Sequence, residues 1–405
     1  MTQLFPSPSI KPFERLQASD GLLINAERWR RAHEYHRLRQ GMHFQALNQP
    51  GIVCGLGVQA IPAPADVRVE FRDGRWVRIQ PGIAIDLIGN PIVVPQPIDF
   101  RIAVELSDQE PLMVYLVVKY VDPDELRRDE RRDIVQETFR VDEKSSPPED
   151  LEVEVCRVLL QPGPVQLENP RDVFFPGYNA VDLRFRLHAQ PRPQAVVNMA
   201  LVNHPDPEFT RNFFNLSYLL KATGVLYPAL QGAEEVGQVT LEPDDEEVEA
   251  EAYDLLYLTG RQPLVLNSRE FEALKNYLDR GGVLLVDAPL DATPLIESVM
   301  ALAQQFETPL EYLERLRRDH PLRTQPFLFA ALPMINQQPL RLLTGGGIIL
   351  VVGDLASAWG IDENFALSRL AIRTAQELGI NILTYAWRRR QLFGLQQQAV
   401  AFGGR

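Results

Sequence analysis

The residues of this chain that could do chemistry fall in four places. The stretch QPGIVCGLGVQ (49–59) sets Cys54 among Gly51, Gly55 and Gly57, the makings of a nucleophile on a tight turn or of a phosphate-cradling loop. His33, His36 and His43 accompany Glu34 on one helical segment, a set of types that binds metals. Asp287 and Asp354 close two apolar runs, and with His320 in RDHPL they would suit acid–base work or a small polar ligand. LEPDDEEVEAEAYD (241–254) concentrates carboxylates.

Spacing and order argue against each. A cysteine nucleophile sits on the turn after a strand, with a histidine base. GIVCGLG instead opens an apolar strand, where alternation turns Cys54 into the core as an inert thiol and leaves Gly55 and Gly57 to permit close approach or a bulge. G-x-x-x-G-x-G is neither G-x-G-x-x-G nor G-x-x-x-x-G-K-S, and these glycines follow a helix and open a strand, the reverse of the order a phosphate loop needs. His33 and His36 are i, i+3 neighbours with His43 two turns on, but no H-E-x-x-H spacing or carboxylate set completes a metal site. The imidazoles and Trp29 read as a half-buried polar seam at a helix or subunit contact. Ser357 in GDLASAWG lacks the G-x-S-x-G elbow, His204 and His320 precede prolines in loops, and the acidic run reads as a solvated loop. No catalytic residue, cofactor or metal is expected.

The elements that position these residues divide the chain. After an N-terminal arm (1–24), Asn25 caps a helix, AERWRRAHEYHRLRQGMHFQAL, which Asn48, Gln49, Pro50 and Gly51 end. Short β runs punctuated by Asp73-Gly74, Pro81-Gly82 and Gly89-Asn90 follow, with further strands at 111–121, 133–141 and 150–160, completing a helix-plus-β module over 25–160. Residues 161–194 are proline-rich and poor in pattern, an extended strap between domains that Phe174, Phe175 and Tyr178 would pin to a neighbouring surface. From Ala195 the runs AVVNMALV, YDLLYLTG, GVLLVDA and GIILVVGD are continuously apolar and interleaved with helical patterns, so 195–390 reads as a doubly wound α/β domain, flavodoxin-like, with a tail at 391–405. The fold class expected is therefore multidomain α+β, and any ligand would lie beyond the strand ends at Thr259-Gly260, Asp287 and Gly353-Asp354.

Composition bounds the function. With 405 residues, 45% of them apolar and 23% charged, the chain can bury two or three cores. A net charge of -13 argues against general binding to nucleic acid or anionic membrane. The compact basic run Arg388, Arg389 and Arg390 reads as a solvated helix end. Two widely separated cysteines without C-x-x-C spacing suit a reducing cytosol, and no apolar run approaches the length of a membrane span.

Two stretches resemble known families. YDLLYLTGRQPLVLNSREFEALKNYLDRGGVLLVDA with the later RDHPL (within 195–390) resembles a bacterial domain family of unknown function related in fold to class I glutamine amidotransferases. That implies an amidotransferase-like fold without the activity, since no cysteine stands here as nucleophile. HFQALNQPGIVCGLGV, WVRIQPGIAIDLIGNPIVV, VYLVVKY and PEDLEVEVCRVLL (within 20–165) resemble a β-rich module of proteins encoded with phage-tail-like contractile injection systems, and the pairing of both modules is similar to cyanobacterial proteins of that kind. The resemblance implies a non-catalytic baseplate-region component in a symmetric cytoplasmic particle, partnered by baseplate and spike proteins and by copies of itself, without nucleic acid or membrane insertion. Its contacts are expected at Trp29, His33, His36, Phe174, Phe175 and Tyr178. The alternative is a small-molecule-binding or hydrolytic α/β domain using Asp287, His320 and Asp354.

Overall fold

Helix α1 (Ala26–Leu47) begins where Asn25 Oδ1 accepts the Arg28 N–H at 2.9 Å and ends as the Asn48 N–H returns to the Phe44 carbonyl at 2.8 Å. Gly41 is its one buried residue. A side chain there would meet the Ile88 carbonyl at 2.8 Å, and one on Gly89 would meet the Gly41 carbonyl at 2.5 Å, so the two glycines let the helix backbone lie directly on a β-hairpin. The computed structural model describes residues 11–104, 110–122, 136–203, 209–241, 249–335, 337–360 and 367–403. Most of the acidic run (242–248), His204, and 133–135 of an expected strand lie outside them.

The chain is multidomain α+β and divides into two compact units, Met1–Arg192 and Pro193–Arg405. The first is antiparallel. Strands β1 (Gly51–Gly55), β2 (Val58–Ile61), β3 (Trp76–Ile79), β4 (Gly82–Ile85), β5 (Pro91–Val94), β6 (Ile98–Arg101), β7 (Leu112–Val121), β8 (Thr138–Lys144) and β9 (Glu152–Leu160) form three three-stranded sheets. Their orders are β1-β4-β5, β2-β3-β6 and β8-β7-β9, around one core that includes Ile52, Ile79, Leu116 and Val155. The I-D-x-x-G-N turn is held from within: Asp86 accepts the N–H groups of Ile88 (3.1 Å) and Asn90 (2.8 Å) and the Asn90 amide (2.9 Å), while Gly89 takes φ +85. Of the strap expected over 161–194, residues 161–192 belong to this unit. Isolated bridges tie it down at Gly74↔Gln166, Arg157↔Asp182, Ile52↔His188 and Asn48↔Pro191, which satisfies backbone groups that its prolines keep out of regular sheet.

Cys54 is exposed, not a core residue. The register with β4 slips between Ile52 and Cys54, and this bulge breaks the alternation that would have turned the thiol inward. Gly55, at φ +67, is where the close approach occurs, with an added Cβ 2.1 Å from the Pro81 carbonyl; around Gly57 the nearest atom would be Gln80 Cγ at 3.7 Å. Cys156 is fully buried, and burial pushes its thiol far up. In the native protein a maleimide should label Cys54 alone, with Cys156 reacting only after unfolding; two labels on the folded chain would contradict this burial.

In the second unit β10 (Ala195–Val197), β11 (Met199–Val202), β12 (Leu230–Gly232), β13 (Gly237–Val239), β14 (Leu255–Thr259), β15 (Val283–Ala288), β16 (Glu311–Tyr312), β17 (Met334–Ile335), β18 (Gln338–Pro339), β19 (Arg341–Gly345) and β20 (Ile348–Val352) accompany five further helices. These are α2 (Phe209–Leu226), α3 (Ser268–Asp279), α4 (Thr293–Gln305), α5 (Pro321–Thr324) and α6 (Arg369–Gly403). The main sheet runs β13-β11-β14-β15-β20-β19-β16 and is parallel from β13 to β20, with β19 and β16 antiparallel at the edge. Alternate residues feed two cores: Leu255, Tyr257 and Leu285 face α2 and α6, and Leu256, Leu258 and Leu284 face α3 and α4. A capping box at Asn267 and Glu270 starts α3.

The arginine run is not a solvated helix end, because α6 continues beyond residue 390 to Gly403. Arg389 donates to the carbonyls of Leu278 (3.0 Å), Gly346 (3.2 Å) and Gly282 (3.4 Å), and Arg390 to those of Glu251 and Tyr253. The forked guanidinium donors thus collect carbonyls just before β14, β15 and β20, an arrangement tied to this tertiary fold and not to the local run of charge.

Candidate functional site

The chain lays down β11, then β13 on one side of it and β14 on the other, so the order reverses beside β11, where α/β sheets hold ligands at the strand ends. Thr259 ends β14 next to that point, while Asp287, one residue before the end of β15, and Gly353-Asp354, just past β20, lie one and two strands further along the same edge. Asp287 is buried, and its two carboxylate oxygens accept the N–H groups of Leu355 (2.8 Å) and Ala356 (2.7 Å) and the Tyr257 hydroxyl (3.2 Å). Thr259 Oγ1 donates to the Asp287 carbonyl at 2.6 Å. The carboxylate therefore caps the 3-10 turn Leu355–Ala358, which the chain enters through Gly353 (φ +136) and Asp354 (φ +58), a left-handed step at the end of a strand. Burial, then the neighbouring Asp354 carboxylate, push Asp287 up to about 7 against the pull of those donors.

Asp287 and Asp354 are therefore brought together electrostatically, but His320 is occupied elsewhere. Its Nδ1 accepts the Leu322 N–H at 3.3 Å as the cap of α5, and its ring stacks on Tyr385 with centroids 5.9 Å apart. Burial holds its pKa below the usual imidazole value. What the arrangement accomplishes is the fixing of a turn: both Asp287 oxygens are engaged by groups of the protein. Tyr257 and the two amides escaped the sequence reading, because nothing local in the 3-10 turn marks it as the partner of a carboxylate 68 residues away.

The expected contact residues lie at the surface. Trp29 is 57% exposed and meets His33 edge-on with centroids 4.9 Å apart; His33 and His36 are exposed, not half-buried, since the hairpin supports the other side of α1. Phe174 and Phe175 are 70% and 79% exposed, and Tyr178 is exposed too, so among the described residues nothing covers these rings. The backbone that carries them is held instead. Asp172 Oδ1 accepts the Phe174 N–H at 2.9 Å, and Arg184 Nη1 donates to the Phe174 carbonyl at 2.8 Å. A further apolar row crosses the first sheet through the register pairs Cys54↔Ile83 and Ile83↔Val93, all three exposed. The bulge that creates the row was not legible in the alternation.

Among the described residues no group of three or more His, Cys, Asp or Glu could hold a metal ion, and no helix is long and apolar enough to cross a membrane. No curated protein matches the chain. Among solved structures it is similar to a cytoplasmic protein from Salmonella typhimurium, at 14% identity and a TM-score of 0.24 over 42% of this chain and 85% of that one. It is also similar to TssK, at 11% identity and a TM-score of 0.25 over 81% of this chain and 66% of that one. Likenesses of this size say nothing about function. Residues 231–387, which carry the helices and strands around Asp287, match the family described as Domain of unknown function (DUF4159).

Proposed function

We propose that this protein is a non-catalytic structural component of a phage-tail-like contractile injection system, placed in the baseplate region around the spike and working in the cytoplasm as part of a symmetric particle. The observation that carries a structural role is the rigid display of exposed rings: Phe174 and Phe175 stand on a backbone clamped by Asp172 and Arg184. Large rings held at little entropic cost are suited to burial against a partner. The assignment to an injection system is supported by the resemblance of residues 20–165 to the modules of such proteins. A small-molecule or hydrolytic role for the second unit finds support in the raised Asp287, but its oxygens are already taken by Leu355, Ala356 and Tyr257.

Particles purified from cells carrying the tagged chain should contain it in fixed stoichiometry. Phe174→Ala/Phe175→Ala/Tyr178→Ala should fold normally yet be lost from them. Intact particles without the chain, or unchanged assembly after its deletion, would refute the proposal.

A further inference from the structure

Helix α1 presents to solvent an ordered face that, among the described residues, nothing in its own unit covers. Trp29, His33, His36, Gln40, His43 and Leu47 follow each other at alternating spacings of four and three, and all six are exposed. At 100° per residue they lie within about 40° of a single line along the helix, the geometry of a seam that packs against another helix. The opposite side is the one on which Gly41 and Gln45 meet the hairpin, with Gln45 Nε2 donating to the Ile88 carbonyl at 2.7 Å. Two large apolar side chains stand on that line, Trp29 and Leu47, 57% and 55% exposed, and burying them against a partner would be favourable.

Charge around the seam selects the occupant. Arg30 and Arg37 border it on one side and Arg28 and Arg39 on the other, all exposed, while Glu27 and Glu34 stand on the far side near Gly41. Arg37 also reaches Asp122 at 2.6 Å, and Arg31 pairs with Glu27 at 3.8 Å away from the seam. The outward face is thus cationic on a chain whose net charge is -13. A second copy of the same face would set arginine against arginine across the seam, which flanking charges disfavour. A seam holding three histidines and a glutamine is too polar to enter a bilayer. Duplex DNA needs no four-three spacing. We infer that α1 is a docking helix for an acidic helical segment of another protein, which lays apolar residues along Trp29 to Leu47 and carboxylates along the arginines. The inference goes beyond the proposed function and stands whichever assembly the chain joins.

The test uses the full chain and a synthetic helical peptide with leucine at the a and d positions of its heptads and glutamate flanking them, too acidic to pair with itself. Its twin carries lysine at the flanking positions. By titration calorimetry near physiological salt the glutamate peptide should bind at least ~10-fold tighter than the twin. Trp29→Ala/Leu47→Ala should weaken binding by ~10-fold or more, and Arg30→Glu/Arg39→Glu should reverse the preference between the peptides. All these positions are exposed, so circular dichroism should show the variants folded. Four results would overturn the inference: no binding of either peptide; equal binding of both; tighter binding of phosphatidylglycerol vesicles or duplex DNA than of the glutamate peptide; or self-association of the chain that Trp29→Ala/Leu47→Ala abolishes.

Discussion

Asp287→Ala should cost the second unit about 3 kcal/mol, because it orphans two buried amides at roughly 1–3 kcal/mol each. Relief of the repulsion from Asp354 and of the carboxylate's own burial offsets part of that loss. For a unit of this size the change corresponds to a fall of roughly 10 °C in melting temperature. Near-ultraviolet circular dichroism is the natural readout, since Trp359 packs beside Tyr257 with centroids 6.1 Å apart. Asp287→Asn should fall between, as its amide group must face one of the two N–H donors. A variant as stable as the parent would mean that the turn Leu355–Ala358 does not depend on this cap.

The same carboxylate gives a pH dependence with a defined sign. Its folded pKa is raised from 3.8 to about 7, so the fold retains a proton that the unfolded chain releases. The stability this contributes is fully present below the unfolded value and is lost as pH rises towards 7. The melting temperature of the parent minus that of Asp287→Asn should therefore decline across that window and level off above it. A flat difference would show that the carboxylate is ionised throughout.

Gly55→Ala should be strongly destabilising in the first unit. Its φ of +67 disfavours any side chain, and the new Cβ would lie 2.1 Å from the Pro81 carbonyl, a backbone atom that cannot step aside without parting β1 from β4. A loss of about 3 kcal/mol or outright failure to fold is expected. Gly57→Ala, two residues on, has Gln80 Cγ at 3.7 Å as its nearest neighbour and should stay within about 1 kcal/mol of the parent. Chemical denaturation of the pair checks the contrast. Equal losses would place the origin of both in strand propensity.

What could be read from the sequence follows the range of the forces involved. Helix α1, from its Asn25 cap to its stop at Asn48, was legible, because capping and 3.6-residue periodicity act within a few positions. So were the continuously apolar runs that became β11, β14, β15 and β20, since burial on both faces leaves that mark on composition. Cys54 was misplaced because one extra residue in a bulge reverses the face of a strand without changing composition. The arginines of α6 were misread because their acceptors are carbonyls more than 40 residues away. The strand-end site was half legible: Asp287 and Asp354 could be placed by the sheet, but the donors that occupy Asp287 come from a turn without a signature, and His320 turned out to cap α5.

The contact between Gly41 and Gly89 also has a mechanical meaning. From Ala26 to Gln40 no residue of α1 is buried, so about 22 Å of helix extends from a fulcrum at Gly41, braced along its length by Arg37 on Asp122. Torque applied near Trp29 would be shared between that ion pair and a push of one backbone on another at Ile88 and Gly89, where no Cβ separates the chains. Under load such a coupling would behave as a stiff lever rather than a tether.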